Sequence, residues 1–245
     1  MLSAPRRRPI AIETELKLAA RIGDLPAVRR ALEAMAAEPG APPRASRARL
    51  VSTYYDTPDH ALARRGSSLR VRRCGRHFVQ TLKAAGVPGD SALARGEWED
   101  EVKGERLDPQ ATQTGAFLSP EIADQLRPLF RTEVSRVTIP LAPEPATRIE
   151  AAIDRGRIHN GEKAPPEPIS EVELELKSGA PTALYDVALK LLHIAPLRLE
   201  RLSKAERGYR LTAGNESVPK AAHAMPIDLH PGLSGEAVLR WLGPV

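Results

Sequence analysis

The stretch Ile12-Glu13-Thr14-Glu15-Leu16-Lys17-Leu18 places Ile, Thr, Leu and Leu at even positions and three ionisable residues at odd ones. A period of two is the signature of a β-strand, whose successive side chains point to opposite faces. Two carboxylates and one ammonium therefore share one strand face. A second comb, Glu171, Glu173, Glu175 and Lys177, repeats the pattern far along the chain. Carboxylate oxygens of this kind suit a hard divalent cation, which in turn bridges to phosphate. Two combs in one chain predict a site walled by strands.

Outward from that stretch the chain is rich in strands. The first is expected over about 10–20, followed by a helix over about 25–37 with Leu25, Val28, Leu32 and Met35 on one face. A strand at about 47–56 ends in the turn signal Tyr54-Tyr55-Asp56-Thr57-Pro58. Ser68–Cys74 and His77–Lys83 flank Gly75-Arg76 as a hairpin. A fifth strand is expected over about 93–103, and residues 105–130 read as helix and loop. Three further strands are expected at about 131–140, 147–158 and 168–178, the middle one turning over at Gly156 or Asn160-Gly161. A helix over about 182–195 precedes a turn and short helix over about 199–209. An open sheet of eight antiparallel strands would leave two edges to protect, and closing it removes both. The expected class is therefore α+β, mainly β: an eight-stranded antiparallel closed β-barrel with helices packed outside.

Composition narrows the partners. The chain has 245 residues, 42% of them hydrophobic, so a core of Leu, Val, Ile and Ala is available although aromatics are only 4%. One cysteine, Cys74, excludes an internal disulfide and a cysteine metal cage, and reads as a small buried or half-buried strand residue. No run approaches the ~20 apolar residues of a membrane-spanning helix. The basic start over residues 1–9 has no apolar segment behind it, so it reads as a disordered arm and not a secretory signal. A cytoplasmic protein with no membrane partner is expected. The net charge of +5 calls for an anionic partner. Nucleic acid is disfavoured, because the basic strands lack stacking aromatics and share the chain with acidic combs.

The inward candidates are basic residues on many different strands. They are Lys17, Arg70 and Arg72, Lys83, Arg95 and Arg136, with Lys177 closing the second comb and Lys204 and Arg207 in the late turn. A lone Lys or Arg on a strand is ordinarily a solvated surface residue. Alternation with apolar residues on nearly every strand changes that reading, since the charged face must be wet and, in a closed barrel with outer helices, the wet face is the lumen. Glu13, Glu15, Glu173 and Glu175 are the metal candidates, with Glu171 in reserve. Their all-oxygen chemistry fits Mg²⁺ or Mn²⁺. The six histidines show no zinc spacing, and neither a phosphate-binding Gly-rich loop with Gly-Lys-Ser/Thr nor a Gly-x-Ser-x-Gly elbow is present.

Six motifs in order, Glu13-Thr-Glu-Leu-Lys17, Tyr54-Tyr-Asp-Thr-Pro58, Leu69-Arg-Val-Arg72, Thr81-Leu-Lys83, Glu171-Val-Glu-Leu-Glu-Leu-Lys177 and Leu202-Ser-Lys-Ala-Glu-Arg-Gly-Tyr209, resemble a CYTH domain of the triphosphate tunnel metalloenzyme superfamily. The likeness covers residues 10–212 and is greatest to bacterial inorganic triphosphatases in which this domain precedes a helical CHAD domain. Residues 213–245 resemble a linker and the start of such a C-terminal region. The resemblance implies a tunnel in which Glu13, Glu15, Glu173 and Glu175 bind Mg²⁺ or Mn²⁺. Arg70, Arg72, Lys83, Arg136 and Lys204 then hold phosphates, with Arg95 and Arg207 as further basic candidates. It places Lys17 where a basic residue activates water, with Tyr54 beside it, and where some relatives carry a second basic residue before Arg136 this chain has Val134. A lysine crowded by cations would have a lowered pKa and could act as base. The implied activity is a hydrolase that splits tripolyphosphate into pyrophosphate and phosphate. The alternatives are a nucleotide or thiamine triphosphatase, an adenylyl cyclase, or a non-catalytic polyphosphate-binding module.

Overall fold

The computed structural model describes residues 11–36, 45–84, 94–111, 113–161 and 165–213, with the side chains of 11, 12, 94 and 95 excepted. The expected basic arm and nearly all of the C-terminal linker and stub lie outside these residues. The strands are β1 (Ala11–Ala19), β2 (Ser46–Asp56), β3 (Ser67–Cys74), β4 (His77–Ala84), β5 (Ala94–Val102), β6 (Arg127–Leu141), β7 (Arg148–His159), β8 (Glu167–Ser178) and β9 (Arg198–Leu199). The helices are α1 (Leu25–Ala36), α2 (Ala61–Arg64), α3 (Pro120–Ala123), α4 (Thr182–Leu192) and α5 (Lys204–Thr212).

All strands join one antiparallel sheet in the order β5-β4-β3-β2-β6-β7-β8-β1-β9, and β1 also pairs with β5. The sheet thus has nine strands and not the expected eight, the extra one being the two-residue β9 set beside Leu18 and Ala19. Closure differs from expectation as well. β1 gives only the four residues Ala11–Thr14 to β5 and the six residues Thr14–Ala19 to β8. In a curled sheet the strands run slantwise, so a nine-residue strand at the seam is shared between its two flanks.

Period-two patterning decides what faces where. On β1, Leu16 and Leu18 point away from the charged face and are 3% exposed. They join Ile139, Leu141, Ile149, Val172 and Leu174 under α1 and α4, whose inner faces supply Val28, Leu32, Leu184 and Leu191. This burial is the main driving term for the outer layer, roughly 1.5–3 kcal/mol for each fully buried Leu, Ile or Val. Over β3, β4 and β5 the outer cover is a smaller cluster of Leu62, Leu69, Leu82, Trp98 and Ile122.

One helix breaks the expected arrangement of helices outside. Leu50, Tyr54, Phe130, Val134 and Ile158 have the strand parity of the charged face, and they pack against Ala205, Tyr209 and Leu211 of α5. α5 therefore lies against the inner face of β2, β6 and β7. Its close approach requires Gly208, since a Cβ there would come within 2.0 Å of the Phe130 ring. Two smaller corrections follow. β6 begins at Arg127, inside the stretch read as helix and loop, whereas β7 runs through Gly156 and turns at Asn160-Gly161, the second of the two expected turns. Cys74, expected buried or half-buried, is exposed, because it ends β3 at the Gly75 turn.

Candidate active site

The inner face encloses a cavity of about 250 Å³ whose walls supply seven basic and seven acidic side chains. Sheet order sorts them by sign. Lys83, Arg70 with Arg72, Tyr54 and Arg136 come from the consecutive strands β4, β3, β2 and β6. Glu150, Glu173 with Glu175, Glu13 with Glu15, and Glu97 with Glu99 come from the consecutive strands β7, β8, β1 and β5. A basic wall thus faces an acidic one, and Lys17 and Lys177 are set into the acidic side.

The structure brings together every predicted residue whose side chain is described, except Arg207 and the reserve candidate Glu171, which is buried behind the cavity wall. Arg95 is paired through its backbone with Glu13, and its side chain lies outside the described set. Arg207 lines a separate cavity of about 280 Å³ with Glu167, Glu200 and Arg210. The reason is helical geometry: Arg207 lies one turn above Lys204, about 4.5 Å further along the axis, and reaches past the cavity rim. Lys177, the uncertain end of the second comb, does line the cavity and pairs with Glu175 at 2.5 Å.

On the basic wall the cations are incompletely neutralised. Arg70 approaches Glu97 at 3.8 Å, but its Nε is buried without a hydrogen-bond partner. Arg72 donates from Nε to the Ser52 hydroxyl at 3.2 Å and makes no ion pair among the described residues. Burial, with Arg70 and Arg136 close by, brings the Arg72 guanidinium down to about 10. Tyr54, stacked on Phe130 at 4.6 Å, is buried, yet Arg70 and Arg72 outweigh that burial and lower its phenol. A guanidinium without an ion pair among the described residues, Arg72, beside the loosely paired Arg70 on the cavity wall, is a receptor for an anion, since each can grip two oxygens.

On the acidic side the register puts like charges directly opposite one another. Glu15 faces Glu175 across β1 and β8, and Glu175 faces Glu150 across β8 and β7. Direct cross-strand neighbours stand about 5 Å apart, where like charges repel. Lys17 relieves Glu15 at 2.9 Å and Lys177 relieves Glu175. Glu13 is held by Lys83. This all-carboxylate donor set on three adjacent strands fits a hard divalent cation. Glu150 belongs to the row and was missed by sequence reading. Its signal was parity, four residues before Asp154 on the inner face of β7, masked by the apolar run Ala151-Ala152-Ile153 between them.

Glu173 is differently placed. With Asp154 and Glu171 it forms a group whose carboxylate oxygens lie within 4.8 Å of one another. The Lys204 ammonium is bonded to all three, at 2.7 Å to Asp154 and 2.9 Å to Glu173. Arg136 holds Asp154 with a two-bond fork at 2.8 and 2.6 Å and also reaches Glu173. Burial pushes the Glu173 carboxyl up, but Lys204, Arg136 and Lys17 override it and hold it well below the usual range. Asp154 is likewise lowered, against burial, by Lys204 and Arg136. Burial wins at Glu171, which stays raised. This group is an internal salt-bridge network in which ammonium and guanidinium take the place a metal would need.

Lys17 departs from the expected lowered pKa. Burial pulls it down, but Glu15 and Glu173 prevail over burial and over Lys204, so the ammonium is raised. The physical cause is first the Glu15 carboxylate 2.9 Å away on the same strand face, and then Glu173 directly opposite in the β1–β8 ladder.

The fold and site are thus a curled antiparallel sheet holding a basic wall against an acidic one. The CYTH domain profile matches residues 11–209, and the chain belongs to that family. An inorganic triphosphatase of Haemophilus influenzae is 34% identical over 163 residues, 66% of this chain and 46% of that protein, so the chain spans about half the length of that relative. Among solved structures, a Hippeastrum adenylyl cyclase candidate described as having a dominant triphosphatase activity superposes with a TM-score of 0.53 at 16% identity, covering 84% of this chain and 98% of that one. A Bacillus halodurans adenylate cyclase candidate gives 0.50 at 17% identity, covering 82% and 98%. These two likenesses concern the fold.

Proposed function

We propose that the chain is a hydrolase that cleaves the terminal phosphoanhydride of inorganic tripolyphosphate, with Mg²⁺ or Mn²⁺, inside a tunnel formed by the curled sheet. The observation that carries the reading is Arg72 without an ion pair and Arg70 with an unpartnered Nε, both opposite the Glu15–Glu175–Glu150 row. The 34% identical Haemophilus relative, named an inorganic triphosphatase, supports it.

Phosphoryl transfer asks the protein for positioning and charge neutralisation more than for covalent chemistry. Arg70 and Arg72 grip the inner phosphates, and Lys83 and Arg136 complete the basic wall. Lys204, at the first turn of α5, places its ammonium at the blind end. Glu13, Glu15 and Glu175 would hold the metal with Glu150, while Glu173 serves through Lys204 and Arg136. The metal, when bound, supplies Lewis-acid polarisation of a phosphoryl oxygen. Lys17, paired with Glu15 at 2.9 Å on the acidic side of the cavity, supplies positive charge beside the metal ligands. The Tyr54 phenol, next to Arg70, orients that guanidinium.

Among the described residues the lining contains one aromatic residue, Tyr54, whose buried ring stacks on Phe130, which disfavours a nucleobase or thiazole ring as ligand. The test is phosphate release from tripolyphosphate, ATP and thiamine triphosphate, with Mg²⁺, Mn²⁺ or chelator. Tripolyphosphate should be hydrolysed fastest and only with metal. Equal rates on ATP, or turnover that survives chelation, would overturn the proposal.

A further inference from the structure

Arg207 has the sequence credentials of a substrate ligand, yet it never reaches the cavity. Its Nε donates to Glu167 at 2.6 Å and its NH1 to Glu171 at 3.3 Å. Glu171 is 1% exposed and in turn bonds the Lys204 ammonium, whose other partners are Asp154 and Glu173. Arg136 closes the far end on Asp154 and Glu173. The buried part of the connected set thus holds three cations (Arg136, Lys204, Arg207) and three anions (Asp154, Glu171, Glu173), and the half-buried Glu167, the nearer partner of Arg207, adds a fourth carboxylate at its edge. Two of those cations, Lys204 and Arg136, line the cavity, and Arg207 does not. The member that completes the neutrality of the network stands outside the site it serves.

We infer that Arg207 is a positioning residue for the phosphate site. By neutralising Glu171 from behind, it leaves the Lys204 ammonium shared toward Asp154 and Glu173 at the cavity wall, and it prevents an uncompensated buried negative charge from facing the incoming polyanion. The inference rests on the tripolyphosphate reading, because only an anionic ligand is sensitive to that sign. A buried carboxylate that loses a partner keeps its charge at high cost or draws its remaining partner closer. In either case Lys204 is withdrawn from the substrate. The effect belongs to binding and not to the chemical step, since Arg207 touches no reacting atom.

The test measures tripolyphosphate binding by calorimetry without metal, and KM and kcat with metal, on the full chain and on Arg207→Met, Arg207→Lys, Glu171→Gln and the double variant Arg207→Met/Glu171→Gln. Arg207→Met should weaken binding and raise KM about tenfold with kcat nearly unchanged, as loss of a uniform binding term does. Adding Glu171→Gln restores neutrality and should recover most of the loss. Arg207→Lys, which keeps the charge and loses the fork, should fall between. Glu171→Gln alone leaves an excess cation and should tighten binding. That single variant decides the matter even where Arg207→Met does not fold. Unchanged KM in Arg207→Met, no rescue by the second substitution, or weaker binding by Glu171→Gln overturns the assignment. A purely structural Arg207 would lower the melting temperature without splitting KM from kcat. Failure of the unaltered chain to bind tripolyphosphate would sink both this role and the reading beneath it.

Discussion

Arg72 is the residue at which stability and function pull apart. Burial and the nearby Arg70 and Arg136 depress its guanidinium, so holding it charged works against the fold. Arg72→Gln should therefore raise the melting temperature by a few degrees while cutting tripolyphosphate kcat/KM about 10²-fold, the usual cost of losing one donor to the charge that develops on the leaving group. A melting scan beside a phosphate-release assay checks both signs. Lys204 is the opposite case, a cation the fold needs. Asp154 and Glu173 are lowered through it, so their contribution is present above their unfolded values of 3.8 and 4.5 and is lost as pH falls through the lower folded ones. Glu171, raised by burial, works against this above its unfolded value of 4.5, and its penalty is relieved as pH falls through the raised folded value, before the other two are lost. Lys204→Met should cost about 3–5 kcal/mol at pH 7, with the gap to the unaltered chain narrowing toward pH 3, as urea titrations at the two pH values would show. Lys204 was legible in the sequence as a basic residue of the site. Of its three carboxylate partners, Glu171 and Glu173 were legible in the second comb and Asp154 was not, because Asp154 sits in an apolar strand run and only pairing with β6 and β8 brings it to Arg136 and Glu171.

At the scale of elements, α5 is what gives the cavity its inner end. It begins with a full capping box, in which the Ser203 hydroxyl accepts from the Glu206 amide and the Glu206 carboxylate accepts from the Ser203 amide. The cap aims the first turn, and so Lys204, at the cavity. Gly208 lets the helix sit on Phe130, and Gly208→Ala should destabilise the chain by about 1–3 kcal/mol through overpacking. Because the same shift moves Lys204, tripolyphosphate KM should rise as well; chemical denaturation and steady-state kinetics test the two together. The helix itself was readable from Leu202-Ser203-Lys204-Ala205-Glu206. Its seat against the inner face was not, since strand parity shows which side chains share a face but not which helix covers it. The β-strands were legible for the converse reason: alternation on β1, β3 and β8 is strict. β6 was cut short because Arg127-Pro128 reads as a break, although the β-bulge between Tyr54 and Tyr55 on β2 accommodates the proline there.

For the molecule as a whole, segregating the two signs onto opposite sets of adjacent strands needs no charge pattern within any one strand beyond period two. It needs the sheet order, in which β2 is followed spatially by β6, and that order is a property of long-range pairing that local sequence does not encode. The sequence therefore pointed to the residues of the cavity without dividing them into walls, and it led to an eight-stranded closed barrel where the sheet has nine strands and is not a closed barrel, β1 meeting β5 only over Ala11–Thr14. The shared seam at β1 has a kinetic side. β1 is the earliest strand, while its longest partner, Glu171–Leu176, lies roughly 150 residues downstream. At ribosomal speeds of ~5–20 residues per second it waits on the order of 8–30 s after emergence, with Leu16 and Leu18 bare. Nascent chains should therefore depend on holdase chaperones until the second acidic comb has been made, and a circular permutant that begins at β2 and carries β1 after β8 should fold with less such help.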